Sequence, residues 1–287
     1  MRDILTSPDS VKIKHDRRVY NTRLLVLFSI LFLLIIGALA FFSGHSRLTI
    51  NNVVVTGTHI ISSSDVESLV NDRLSGRYFY LFSHKNNLIY PKGKIYDDLR
   101  KAYPRIEQLS VYRDDWNTLH LSITERQGSY LYCGSTIPEA TLDIGENCYF
   151  VNTDGYVFDK APYFSGNIYF KYYITIPNSD NVLGQYLMPV EDFHKLARFI
   201  DGVTDIGFKP NYIVTGNDGI DSLYLNSNQG GIDHKILFKN NEDLDLILDN
   251  LSIAMKKKEF ADEINSKYTT LQYIDLRFKD KVLYKFQ

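Results

Sequence analysis

The alternation of apolar and polar positions divides the chain into three stretches. The first contains an uninterrupted apolar run over residues 24–42, LLVLFSILFLLIIGALAFF, without a charge. As a helix, roughly 19 residues at about 1.5 Å each reach ~28 Å, close to the hydrocarbon thickness of a bilayer. No second run of this kind follows, which predicts a single membrane crossing. The second stretch, residues 48–126, opens with Leu48, Thr49, Ile50 and Val53–Val55, a strand closed by Gly57. Ser64 and Glu67 have the capping-box spacing ahead of Val66, Leu69, Val70 and Leu74, one face of a helix. Ile95, Leu99 and Ala102 predict a second helix over 94–102, ended by Pro104. Ile106, Leu109 and Val111 lead into a strand, residues 114–117 supply a turn, and Leu119, Leu121 and Ile123 alternate as the next strand. The predicted order is β-α-α-β-β.

The third stretch, residues 127–287, is predicted to be β-rich with two helices. Its first signal is CYFVNTDGYVF over 148–158, two apolar strand halves around Asn152-Thr153-Asp154-Gly155. Further strands fall within 168–176, 211–214, 223–225 and 235–238, with a turn at 228–231. One helix places Val190, Phe193, Leu196, Ala197 and Ile200 on a single face behind Pro189. A second carries Leu244, Ile247, Leu248, Leu251, Ala254 and Met255, with Asn241 as its cap and Lys256-Lys257-Lys258 at its end, where cations suit the helix dipole. The chain closes on YIDLRFKDKVLYKFQ, which alternates in steps of two, with Ile274, Leu276, Phe278, Val282, Tyr284 and Phe286 on one side. The whole reads as an α+β protein behind a membrane helix.

Charge sets the orientation. Lys12, Lys14, Arg17, Arg18 and Arg23 precede the apolar run and only Arg47 closely follows it. By the positive-inside rule residues 1–23 are a cytoplasmic tail, 24–42 span the membrane, and the remainder lies outside. Ala38-Leu39-Ala40 also satisfies the small-residue rule for signal cleavage, but the apolar run and the charged leader are both long for a signal peptide, so a retained anchor is the preferred reading. The net charge of −2 and the lack of a basic stripe beyond the leader exclude nucleic-acid binding as the expectation. Outside the cytoplasm the only two cysteines, Cys133 and Cys148, are expected to pair, and a loop of about 15 residues stabilises by ~3 kcal/mol through the unfolded chain.

Catalytic motifs are not evident. The seven histidines are scattered, and no HExxH, GxSxG, P-loop or GxGxxG occurs. His194 beside Phe193 reads as an ordinary histidine, and Asp154 as a turn former. The expectation is a protein that is not an enzyme, with no cofactor, no metal and no small-molecule substrate; a secreted cell-wall enzyme would need distant residues to converge.

With a single anchor followed by β-α-α-β-β and a β-rich remainder, the chain resembles the bacterial division proteins of the FtsQ/DivIB family. The resemblance rests on Val53, Val55 and Gly57 in the opening strand, Ser64-Asp65 at the first helix, Pro104-Arg105-Ile106, and Glu125-Arg126 at the end of the last strand. It continues through the Asp154-Gly155 hairpin to Asp275-Leu276-Arg277-Phe278. Asp115-Trp116 and Gln127-Gly128 stand where the family often has prolines. The resemblance implies a POTRA domain over 48–126 and a β domain over 127–287. It implies docking of FtsB/DivIC-like and FtsL-like partners by strand addition to the closing strand, at the division septum, where septal wall synthesis is controlled. Arg277, Phe278, Tyr284 and Phe286 carry over as partner-binding residues. The alternative is another POTRA-bearing assembly or transport component, which would show repeated POTRA modules or a following barrel.

Overall fold

The computed structural model describes residues 8–137, 147–164, 167–176, 181–226 and 234–287, with side chains from residue 19 onward. The turn expected at 228–231 lies outside the described residues. Helix α1, Pro8–Ser43, is one continuous helix, and its segment Val19–Ser43 is long and apolar enough to cross a membrane. The chain divides into two compact units, one running to Leu99 and resuming over Gln108–Thr124, the other made of Arg100–Glu107 and Glu125–Gln287.

The first unit contains β1 (Asn52–Thr56), α2 (Ser63–Leu74), the short β2 (Arg77–Tyr78) and β3 (Phe82–Ser83), α3 (Lys92–Ala102), β4 (Ile106–Arg113) and β5 (Thr118–Glu125). Its sheet has the order β1-β5-β4, with β1 parallel to β5. The helices bury Val66, Val70, Leu74, Ile95 and Leu99 with Leu119, Leu121 and Ile123, as their spacing predicts. Two local expectations are corrected and one element is new. The first strand begins at Asn52, because Leu48 and Ile50 bond their backbones to Asn87 and Lys85. Helix α2 is capped by Ser62, which accepts from the Asp65 amide, rather than by Ser64. The β2–β3 hairpin between the helices carries no alternation long enough to be seen in the sequence.

The second unit is built on a nine-stranded sheet of order β14-β13-β12-β11-β10-β9-β6-β7-β8. The strands are β6 (Tyr130–Tyr132), β7 (Tyr149–Val151), β8 (Val157–Lys160), β9 (Lys171–Tyr173), β10 (Pro210–Thr215), β11 (Ile220–Leu225), β12 (His234–Lys239), β13 (Leu271–Phe278) and β14 (Lys281–Phe286). Helix α4, Val190–Asp205, joins the parallel pair β9 and β10; α5 (Leu244–Lys256) and α6 (Lys258–Ser266) join the parallel pair β12 and β13. Parallel neighbours require such crossovers, and here they cover one face of the sheet. The core lies between: Ile213, Leu223, Ile236 and Ile274 from the strands meet Phe193, Phe199, Ile247, Leu251 and Ile264 from the helices. The opposite residue parity forms a row across the strands, Lys171, Tyr212, Tyr224, Lys235, Tyr273 and Lys285 in successive register. Within it Tyr212 and Tyr224 stack at 4.5 Å and the Lys235 ammonium lies 5.7 Å from the Tyr224 ring.

Among the described residues three α-helices, not two, serve this unit. Lys257 takes extended backbone angles and ends α5, and α6 follows immediately, burying Ile264 one turn beyond Phe260. The lysine run concealed that second apolar pair. The cap of α5 is Asp243 rather than Asn241, since β12 and the turn after it use the chain up to Glu242.

Cys133 and Cys148 are joined by a disulfide with sulfurs 2.01 Å apart, just beyond the paired Tyr132 and Tyr149. Beside it the Arg105 Nε donates to Asp159 Oδ2 at 2.6 Å, which ties Arg100–Glu107 to this unit. In the hairpin turn, Asn152 Oδ1 accepts from the Asp154 and Tyr156 amides at 3.0 and 2.9 Å. Gly155 has φ +81, and a Cβ there would lie 2.7 Å from the Phe193 ring. Gly155→Ala is therefore expected to destabilise the second unit by about 2 kcal/mol, combining left-handed strain with forced movement of a core ring. Urea titration followed by tyrosine fluorescence checks this; an unchanged midpoint contradicts it.

Candidate partner-binding edge

The closing ribbon of the chain is a hairpin. Strands β13 and β14 pair antiparallel through Ile274↔Tyr284, Asp275↔Leu283 and Phe278↔Lys281. Lys279-Asp280 forms the two-residue turn, with Asp280 at φ +61, a region that aspartate tolerates. A bulge between Asp275 and Phe278 gives β13 one residue more than its partner. The two-residue turn pairs Phe278 with Lys281 and so exchanges even and odd faces; the bulge restores the match, so that Ile274 again lies opposite Tyr284. Strand β14 is the last of the sheet, and among the described residues no strand pairs with its outer side.

The four residues carried over from the resemblance occupy different environments. Phe278 is 49 % exposed and borders a cleft of about 260 Å³ with Leu246, Ile247, Asn250 and Leu276. Tyr284 faces the helix side, with its ring 5.1 Å from Phe260 and its hydroxyl donating to Glu263 Oε2 at 2.7 Å. That hydrogen bond holds the Glu263 carboxyl below the usual range and raises the Tyr284 phenol. Phe286 packs against the core and lies 5.3 Å from the Lys267 ammonium, which pairs with Glu263 at 2.9 Å. Helix α6 thus clasps the face of the edge strand, a support that sequence reasoning missed because it ended the helical segment at Lys256-Lys257-Lys258 and read no helix beyond it.

Arg277 is turned inward to its own strand. Its Nε and one terminal nitrogen donate to the two oxygens of Asp275 at 2.8 and 2.6 Å, and its amide donates to Oδ1 at 3.0 Å. Asp275 is buried; burial pushes its carboxyl up, but the Arg277 fork outweighs this and the net shift is downward. Phe278 and Tyr284 are therefore available at the surface, while Arg277 sets the shape of the bulge beneath them. Lys279, Lys281 and Lys285 are exposed around the hairpin, where charges discourage indiscriminate pairing.

Two further acidic features emerged only in three dimensions. His194 Nε2 meets Asp154 Oδ1 at 3.1 Å, joining two residues that the sequence left unrelated. The pair links the hairpin turn to α4. Asp221 is 4 % exposed and has no basic partner among the described residues. Its Oδ1 accepts only from the Gly216 amide and Asn240, at 3.3 and 3.4 Å, and burial raises its carboxyl to about 6. It lines a cleft of about 780 Å³ shared with Asp192, Lys195 and the start of α5.

No family model matches the chain, and a search of curated proteins finds no match either.

The two buried aspartates predict opposite pH responses. Asp275, depressed in the fold, contributes stability above its unfolded value near 4 that is lost as pH falls through its lower folded value. Asp221, raised to about 6, makes the fold lose stability as pH rises from about 4 to 6, because the folded state binds the proton more tightly there. At pH 7.5 Asp221→Asn should raise unfolding free energy by about 2 kcal/mol, and Asp275→Asn should lower it by about 2 kcal/mol. Urea melts of both variants from pH 4 to 8 test the signs; equal signs at pH 7.5 contradict the assignment.

Proposed function

We propose that this chain is a non-enzymatic, single-pass membrane scaffold of the FtsQ/DivIB kind. In this reading the first unit is a POTRA module, the second is the β domain, and the bulk lies outside the cytoplasm. It recruits FtsB/DivIC-like and FtsL-like partners to the septum and so helps to control wall synthesis. The observation that carries the reading is the unpaired outer side of β14, flanked by exposed Phe278 and Tyr284. An incoming strand would satisfy the outward amides and carbonyls, and the cleft beside Phe278 would take one apolar side chain. Leu246, Asn250 and Ile253 share one face of α5, and two of them are exposed apolar residues that extend this surface. Apart from the short β2–β3 hairpin between the helices, the order is β-α-α-β-β with the first strand parallel to the last, which supports the POTRA reading. The basic residues Lys12, Lys14, Arg17, Arg18 and Arg23, ahead of the apolar run, support an inside N-terminus.

Binding of the purified extracytoplasmic segment of an FtsB- or DivIC-type protein tests the edge. Deleting residues 281–287 should abolish binding while the first unit keeps its fold, as read by amide exchange in α2 and α3. Phe278→Ala should weaken binding roughly tenfold or more, as expected for an aromatic at the centre of an interface. Full affinity after the deletion removes the edge from the account.

A further inference from the structure

The loop that joins α2 to α3 is built against the end of the membrane helix. The Ser83 amide donates to Ser43 Oγ at 3.0 Å, and Asn86 Nδ2 donates to the Ser43 carbonyl at 3.0 Å. Ser43 and Asn86 are both buried. Just beyond the helix, Asn117 Nδ2 donates to the Ser46 and Thr49 carbonyls at 2.8 and 2.7 Å, while the Asn87 amide donates to the Leu48 carbonyl. Asn87 also donates from its side chain to the Trp116 carbonyl at 2.8 Å. Three loops are thereby laced to the point where α1 ends.

These same loops carry large exposed apolar side chains. The β2–β3 hairpin turns on Phe79 and Tyr80, which are 86 % and 93 % exposed, with Leu81 beside them. Their backbones have φ +48 and +62, and the Leu81 amide donates to the Tyr78 carbonyl, a tight turn left-handed at both central residues. Glycine or asparagine would enter this region without the strain that bulky aromatics meet there. Leu88 and Ile89 are exposed on the second loop, and Trp116, 56 % exposed, lines a cleft with Leu88. Phe41 and Phe42 end the helix itself. Strand β3 lies against α1, and the turn is only three residues beyond Ser83, so at about 3.3 Å per residue it reaches roughly 10 Å. Arg47, Arg77 and Lys85 are exposed around the same loops.

We infer that Phe79, Tyr80 and Leu81, with Leu88, Ile89 and Trp116, form a collar that inserts into the headgroup region of the bilayer around the helix exit. This inference rests on α1 spanning the membrane. Continuity with that helix selects the occupant: amphipathic rings favour the boundary between chains and headgroups, and the neighbouring cations suit lipid phosphates. A hairpin strained to splay two aromatics outward fits a wedge into lipid rather than a packed core. The collar would fix the tilt of the first unit on the membrane.

The only tryptophan, Trp116, reports on this directly. The full chain is reconstituted into phosphatidylethanolamine–phosphatidylglycerol vesicles whose lipids are unlabelled or brominated near the headgroup. Shallow bromines should quench Trp116 about twofold, and the Phe79→Asn/Tyr80→Gly double variant should lose at least about half of that quenching. The same variant should unfold in detergent no more easily than the parent, because its turn is relieved of strain. Leu88→Ser, which leaves the tip intact, should reduce quenching as well. A chain that fails to float with vesicles overturns the anchor and the collar together. A chain that floats with Trp116 unquenched, or quenched equally in both variants, overturns the collar alone.

Discussion

An open sheet ends in two strands whose outward amides and carbonyls must find partners beyond the sheet, and the second unit treats its two ends differently. At one end the chain covers β8 with its own backbone: the Val157 amide donates to Gln185 and the Gly184 amide to Val157, both at 2.8 Å. At the other, β14 is held by β13 on one side and supported from its face by α6. Edge strands that must stay unpaired are commonly shortened, charged or covered. Here three lysines surround the hairpin, yet Phe278 and Leu283 remain exposed beside it. That combination of charged flank and open apolar surface supports the strand addition proposed above.

The rest of the unit keeps that edge in place. The hairpin is carried by a sheet whose central strands bury isoleucine and leucine at every second position against α4 and α5. The Asp275–Arg277 fork closes the bulge that carries Phe278, and the Tyr284–Glu263–Lys267 chain ties the outer strand to α6. These supports hold the outermost strand, which among the described residues has a sheet neighbour on one side only. Asp221 is the opposite case, a buried carboxylate whose ionisation costs stability at neutral pH.

The first unit shows a different economy of design. Polar side chains with fixed roles, Asn86, Asn87 and Asn117, lace three loops to the end of one helix. Asparagine suits this work because its amide both donates and accepts, so one side chain bridges two backbone segments. A helix joined to its domain through such bonds transmits orientation, which a flexible tether would not.

Much of this was legible in the chain itself. Apolar periodicity located α2, α3, α4 and α5 and most strands, because burial on one face imposes a period of 3.6 or 2. The long charge-free run marked α1, and Asn152–Gly155 marked its hairpin, since those residue types take the turn angles at least cost. What the pattern did not hold were features set by partners distant in sequence. The division into α5 and α6 depends on which face Ile264 finds; the caps at Ser62 and Asp243 depend on where preceding strands stop; the His194–Asp154 contact spans 40 positions. Likewise the alternation of residues 273–286 announced strands but not their place. That β14 lies outermost, with Arg277 turned to Asp275 and Phe278 left in the open, followed only once the tertiary fold had ordered nine strands, because a strand's neighbours are chosen by the packing of the whole sheet and not by its own residues.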